Sequence, residues 1–268
     1  MKNVKKVLSV MLVLVVALGM LAGCGDKKDS AAGSSSADSA KASGDKYIIA
    51  TDLVFAPFEF TNEKNEFVGI DVDLLAAIAK EQGFEYELQS IGFDAAMTAV
   101  ESGQADGVIA GASITEERLK LYDFSDPYYD STVSVGVAAD SKAASLDDIK
   151  GSKVAVKTGT QSAAWAEEIK DEYNLELSYF KDSAMMYQNV VSGNVVACFE
   201  DYPVLAYNVA QGNGLKVLHE ETSKATPYGF AVKKGQNAEL LEKFNAGLKK
   251  IKENGTYDEI VAKYTETK

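Results

Sequence analysis

The sequence predicts an α/β fold with mostly parallel sheets flanked by helices. Two observations carry that expectation. Short apolar runs of strand length recur from residue 47 to residue 232, and most are separated by segments with apolar residues at helical spacing. Strands alternating with helices of that length cover a sheet on its faces, which is the α/β arrangement. In chain order, a strand at 47–51 leads to a helix at 71–82, with Leu74, Leu75, Ile78 and Ala79 on one face. A strand at 86–89 precedes a helix at 94–102, down one side of which Phe93, Met97 and Val100 step. Strands at 107–110, 132–137 and 153–156 follow, then a helix at 162–173. Next come a strand at 177–180, a helix at 183–192, a strand at 195–199 and a helix at 203–211. Strands at 215–218 and 229–232 close the series. Two helices end the chain: 238–253, with Leu240, Leu241, Phe244, Leu248 and Ile251 inward, and 256–264.

The N-terminus is of another kind. Lys2, Lys5 and Lys6 form a basic head, and residues 7–21 carry no charge. That run is short for a membrane span and suits the apolar region of a secretion leader. It ends Leu21-Ala-Gly-Cys24, which resembles the lipobox of bacterial lipoproteins. The expectation is a signal peptide over 1–23, diacylglycerol on the Cys24 thiol, and anchoring to the cell membrane without a spanning helix. Residues 24–45 contain no large apolar side chain, so they are expected to form a flexible tether.

Composition excludes several functions. The chain has 268 residues and a net charge of −13, falling to −16 without the three leader lysines. That sign disfavours nucleic acid as a partner. The single histidine, His219, argues against histidine triads and multi-histidine metal sites. With Cys24 lipidated, Cys198 has no partner and reads as a small buried residue on a strand. No glycine-rich phosphate loop of either dinucleotide or nucleoside-triphosphate type is present, and neither a metal nor a cofactor is expected.

One residue stands out by rarity. Arg118 is the only arginine, within Gly111-Ala-Ser-Ile-Thr-Glu-Glu-Arg118. Lysine supplies every other basic position, so the exception points to a planar fork gripping a carboxylate or phosphate, although a surface arginine fits composition equally. Gly111, Ser113 and Thr115 are small or hydroxylic neighbours suited to an anion site at a helix start. A second such corner, Lys157-Thr-Gly-Thr-Gln-Ser162, follows the strand at 153–156. Ligands of open α/β sheets sit beyond the carboxyl ends of strands. Asp52, residues 111–118 and Glu200-Asp201 follow three such ends.

Taken with Ala50-Thr-Asp-Leu-Val-Phe-Ala-Pro-Phe-Glu-Phe60, Gly69-Ile-Asp-Val-Asp-Leu-Leu, Gly92-Phe-Asp-Ala-Ala96, Asp123-Phe-Ser-Asp-Pro-Tyr-Tyr129 and Asn254-Gly-Thr-Tyr257, these segments cover 46–264 in order. The chain resembles the family 3 extracellular solute-binding proteins of ABC importers for polar amino acids, most closely the glutamine-binding members. It departs from the family pattern at Gln82 and at Glu200, where a glutamine-binding relative has histidine.

The resemblance implies a type II periplasmic-binding-protein fold of two lobes. One would comprise 46–129 and 229–268, the other 130–228 with hinge segments near 128–132 and 225–229, closing over a ligand in the cleft. Arg118 would clamp an α-carboxylate, helped by Ser113 and by backbone donors near Gly111 and Thr160–Gln161. Asp201 would take the α-ammonium, Phe55 and Phe93 would enclose the aliphatic stem, and Asp52 and Lys157 would lie near the side-chain head group. From the residues alone, Phe55 and Phe93 also read as core, Asp52 and Asp201 as helix caps, and Lys157 as a surface lysine. The resemblance further implies no enzyme activity, a monomer, and an ABC permease as partner. Glutamine leads as ligand, with asparagine, arginine or lysine, and cystine as alternatives. A dehydratase on the same fold, with Glu200 as the carboxylate it would call on, and a ligand sensor acting on a signalling partner are the other functional classes.

Overall fold

The computed structural model describes residues 46–266, so the expected leader, the expected lipidation at Cys24 and the expected tether lie outside the described residues. The chain opens with β1 (Tyr47–Thr51), a two-stranded hairpin of β2 (Phe60–Thr61) and β3 (Phe67–Val68), and α1 (Ile70–Gln82). Then follow β4 (Tyr86–Ser90), α2 (Phe93–Ser102), β5 (Gly107–Val108) and β6 (Tyr122–Phe124). The middle of the chain gives β7 (Val133–Ala138), β8 (Lys153–Lys157), α3 (Gln161–Tyr173), β9 (Glu176–Phe180) and α4 (Ser183–Val191). It continues with β10 (Ala197–Asp201), α5 (Tyr202–Ala210) and β11 (Leu215–Glu221). Finally come β12 (Ala231–Lys233), α6 (Ala238–Glu253) and α7 (Thr256–Thr265).

These strands build two five-stranded sheets, in the orders β4-β1-β5-β12-β6 and β11-β7-β10-β8-β9. β1 runs parallel to β4 and β5, and β8 runs parallel to β9 and β10. The antiparallel pairs involve β7 and β12, the first strands after each passage of the chain between sheets. A strand arriving from the other sheet has no crossover helix to impose parallel direction.

Helices cover both faces of each sheet. On the first sheet, Leu74, Leu75 and Ile78 of α1 join Phe244 and Leu248 of α6 in one buried layer, while Met97 and Val100 of α2 fill the opposite one. Helix α1 is fixed at both ends: Asp71 and Asp73 lie in its first turn, where negative charge suits the helix dipole, and Gly83 ends it in the left-handed region at φ 66. Helices α1 and α6 approach closely at Gly247, where a Cβ would come within 2.7 Å of Ile78 Cγ2 and 3.1 Å of Gln82 Cγ. Gln82, the departure from the family pattern, thus lays its stem against that glycine. On the second sheet, Trp165 of α3 packs over Phe199, and Met186 and Leu205 cover the other face beside Cys198. Cys198 is fully buried on β10, and burial pushes its thiol far above the ordinary range.

Two passages connect the sheets, and they bond to each other: Tyr228 N–H to Tyr129 O at 2.7 Å, Tyr128 N–H to Tyr228 O at 2.9 Å, and Thr226 N–H to Ser131 O at 2.9 Å. Some expectations are corrected. The strand expected at 107–110 is only two residues long, and β6 and the β2–β3 hairpin had no clear periodicity. Glu200 and Asp201, placed beyond a strand end by the sequence, are the last two residues of β10. Pairing with β7 holds that central strand together through Asp201↔Val133. Among the described residues no helix is long and apolar enough to cross a membrane.

Candidate functional site

Nine of the ten sequence-selected residues line one small cavity between the sheets. Phe55, Phe93, Gly111, Ser113 and Arg118 come from the first sheet's side, and Lys157, Thr160, Gln161 and Asp201 from the second's. The tenth, Asp52, follows β1 and meets Lys157 across the gap, Nζ to Oδ2 at 2.7 Å. Both side chains are inaccessible, at 0% and 1% exposure, so this is a buried ion pair and Lys157 is no surface lysine. The other Asp52 oxygen accepts from Leu53 N–H at 2.6 Å and Phe93 N–H at 3.1 Å. The helix-cap alternative for Asp52 is therefore half right: it satisfies the first N–H of α2, a helix 41 residues downstream. The Lys157 ammonium lies 4.1 Å from the centre of the Phe55 ring. Burial works against its charge, but Asp52, Glu200 and Glu59 outweigh burial and raise its pKa above the ordinary lysine value.

Arg118 bridges the two sides. Its NH1 donates to Ser113 O at 2.8 Å and its NH2 to Gly159 O at 2.9 Å, with the guanidinium carbon 5.1 Å from the centre of the Phe93 ring. Two of its five donor positions are thereby held on backbone, leaving a fixed fork beside the cavity. The expected helix start is not there: Arg118 opens a three-residue 3-10 turn, too short to present a helix terminus. A helix start does exist opposite. Thr160 caps α3 by accepting from Ala163 N–H at 3.1 Å, and the N–H groups of Gln161 and Ser162 have no intrahelical acceptor.

Asp201 precedes α5 yet makes no capping bond to it. Its oxygens are held instead by Ser162 Oγ and Tyr228 OH, each donating at 2.6 Å. Burial raises its pKa, and those two donors with Lys157 and Arg118 oppose the rise. Glu200 is oriented away, into its own lobe: it accepts from Ser183 Oγ at 2.6 Å, Tyr187 OH at 3.0 Å and Asp201 N–H at 3.0 Å. A carboxylate so fully bonded is not poised to serve as a free acid or base.

Gly111 needs correction. Its N–H donates to Asp71 Oδ2 at 2.8 Å, so the backbone donor expected there is already engaged. The residue is still specified, because at φ +54 a Cβ would stand 2.4 Å from Phe55 Cε1. Phe55 and Phe93 are core residues, 4% and 5% exposed, that also form part of the cavity wall. The sequence did not single out Tyr228, Asp71 or Glu59, and it assigned no partner to Gly159 or Ser162, within the second corner. Each acts on a site residue 4 to 41 positions away or from the other sheet, and no local pattern marks such a pairing.

A larger groove lies behind the passages, lined by Pro57, Tyr129, Tyr207 and Tyr264. Its charged residues, Asp130, Glu220 and Glu266, are all of one sign, so it lacks the paired opposite charges of the smaller cavity.

Buried charges of both signs converging between two lobes suit a zwitterion, and the known relatives agree. The model of bacterial extracellular solute-binding proteins, family 3, matches residues 47–267. The chain belongs to that family. A probable histidine-binding protein of Neisseria gonorrhoeae is 34% identical, with 92% of this chain and 91% of the relative covered. The ABC transporter glutamine-binding protein GlnH of Bacillus subtilis (strain 168) is 35% identical, with 97% of each covered. Among solved structures, an ancestral arginine-binding protein bound to glutamine is 39% identical with a TM-score of 0.76, covering 83% of this chain and 98% of that one. This family-3 protein therefore has the two-lobed type II fold of amino-acid-binding components of ABC importers.

Proposed function

We propose that this protein binds glutamine in the cavity between its lobes and delivers it to an ABC importer permease, without catalysing a reaction. The observation that carries the choice of glutamine is the buried Asp52–Lys157 pair. The pair cancels its own charge, and each partner keeps bonding capacity: the ammonium has further N–H donors and the carboxylate a remaining lone pair. A primary amide meets both, its NH₂ on Asp52 and its carbonyl oxygen on Lys157. A glutamate side chain would set a carboxylate against Asp52, and arginine or lysine would set a cation against Lys157; both repulsions act in a water-poor site. The α-carboxylate then lies on the free donors of Arg118, with the Ser113 hydroxyl, Thr160 and the first amide of α3, at Gln161, nearby. Asp201 takes the α-ammonium, and Phe55 and Phe93 enclose the stem.

Contacts across the cleft, Arg118 to Gly159 and Lys157 to Asp52, tie ligand binding to closure of the lobes about 128–132 and 225–229. The tether and lipidated Cys24 hold the protein at the outer face of the membrane.

A thermal-shift panel of the twenty amino acids tests the ligand. Glutamine should give the largest shift, and asparagine, one methylene shorter and typically about 1–3 kcal/mol weaker, a smaller one. Charged amino acids should give little. A panel led by arginine, lysine, histidine or cystine overturns glutamine.

A further inference from the structure

Behind the cavity lies a second pair of acids that the ligand-binding account does not use. Glu59 and Asp71 are both fully buried and hydrogen-bonded to each other. Asp71 Oδ2 accepts from Gly111 N–H at 2.8 Å and from Tyr128 OH at 2.8 Å. Among the described residues, its Oδ1 and both Glu59 oxygens have no N–H or O–H donor. Two carboxylates in contact out of water repel strongly, and three orphaned acceptors in one place call for a donor. A single proton between the acids supplies it, satisfying Asp71 Oδ1 and one Glu59 oxygen. Asp71, with two donors of its own, is the better carboxylate, so the proton belongs to Glu59.

We propose that Glu59 is a neutral carboxylic acid at neutral pH and a positioning residue for the binding site, donating its proton to Asp71 and so fixing the Gly111 corner of the cavity. Its backbone serves the same end. Glu59 O accepts from Phe55 N–H at 2.7 Å, so one residue holds the aromatic wall through its main chain and the glycine corner through its acid. The network also reaches the first passage between sheets, where Tyr257 OH donates to Tyr128 O at 2.5 Å.

The electrostatics agree. Burial raises the Glu59 pKa well above its ordinary value; Asp71 and Asp52 raise it further, and only Lys157 opposes. Asp71 is raised by burial to about 6, with Gly111, Tyr128 and Glu59 opposing. The groups facing the pair are thus Asp52 and Lys157 at the cleft and Tyr128, backed by Tyr257, at the passage. The folded chain keeps a proton that the unfolded chain releases near pH 4. The pair's contribution to stability is therefore greatest in acid and is lost as pH rises through the raised folded value.

Glu59→Gln and Asp71→Asn test this, because each replaces the shared proton by an amide N–H of nearly the same shape and leaves the pair's charge at −1. An infrared difference spectrum at neutral pH, wild type minus Glu59→Gln, should contain the carbonyl band of a protonated carboxylic acid. Only carboxylate bands in that difference would overturn the proposal. The Gly111 amide resonance should move as the wild-type pair titrates and should lose that transition in Glu59→Gln; an unchanged transition also overturns it. Asp71→Asn should likewise remove the acid band, which keeps the test decisive if Glu59→Gln does not fold. None of these readouts uses glutamine, so their failure is separable from failure of the ligand assignment.

Discussion

Replacing Arg118 with alanine should weaken glutamine binding by about a hundredfold or more in a calorimetric titration. A charge-assisted hydrogen bond contributes about 1.5–3 kcal/mol, and the fork can make two to one carboxylate. The substitution also removes the bridge from Ser113 O to Gly159 O, one of the contacts joining the two sides of the cavity. Arg118→Lys should recover only part of the loss. A single ammonium cannot hold both carbonyls and still present two parallel donors, and it stacks less well on Phe93. Near-normal affinity in a folded Arg118→Ala protein would remove Arg118 from the site.

The largest effect on stability should come from Lys157→Met. Without the ammonium, Asp52 retains the Leu53 and Phe93 N–H groups but loses the cation paired with it, and it has no access to water. Breaking a buried ion pair on one side typically costs about 3–5 kcal/mol, read here as a lowered denaturation midpoint. Adding Asp52→Asn should recover most of that stability, because the stranded charge is gone, and should not recover glutamine binding. A loss below about 1 kcal/mol in the single variant would place the pair with exposed salt bridges, whose contribution is that small.

The sequence exposed the groups at the cleft better than their supports. Arg118 was legible because it is the only arginine, and Asp52 and Asp201 because they fall at strand ends, whereas Lys157 was placed by the family resemblance alone. The long helices were legible too: α6 has the predicted bounds, since its apolar face repeats over four turns. What escaped was carried by tertiary pairing. Tyr228 bonds Asp201 across 27 residues, and Asp71 bonds Gly111 across 40, so neither leaves a local trace. The Gly111 N–H was misassigned for the same reason: its acceptor sits at the start of a distant helix. Short elements such as β6 escaped because three residues do not establish a period.

The most direct measurement of the central claim is a crystal structure of the protein grown with glutamine. The ligand should lie between the lobes with its α-carboxylate on Arg118, its α-ammonium on Asp201, and its side-chain amide bridging Asp52 and Lys157. Glutamine bound with its amide away from the Asp52–Lys157 pair, or bound outside this cavity, would contradict the account.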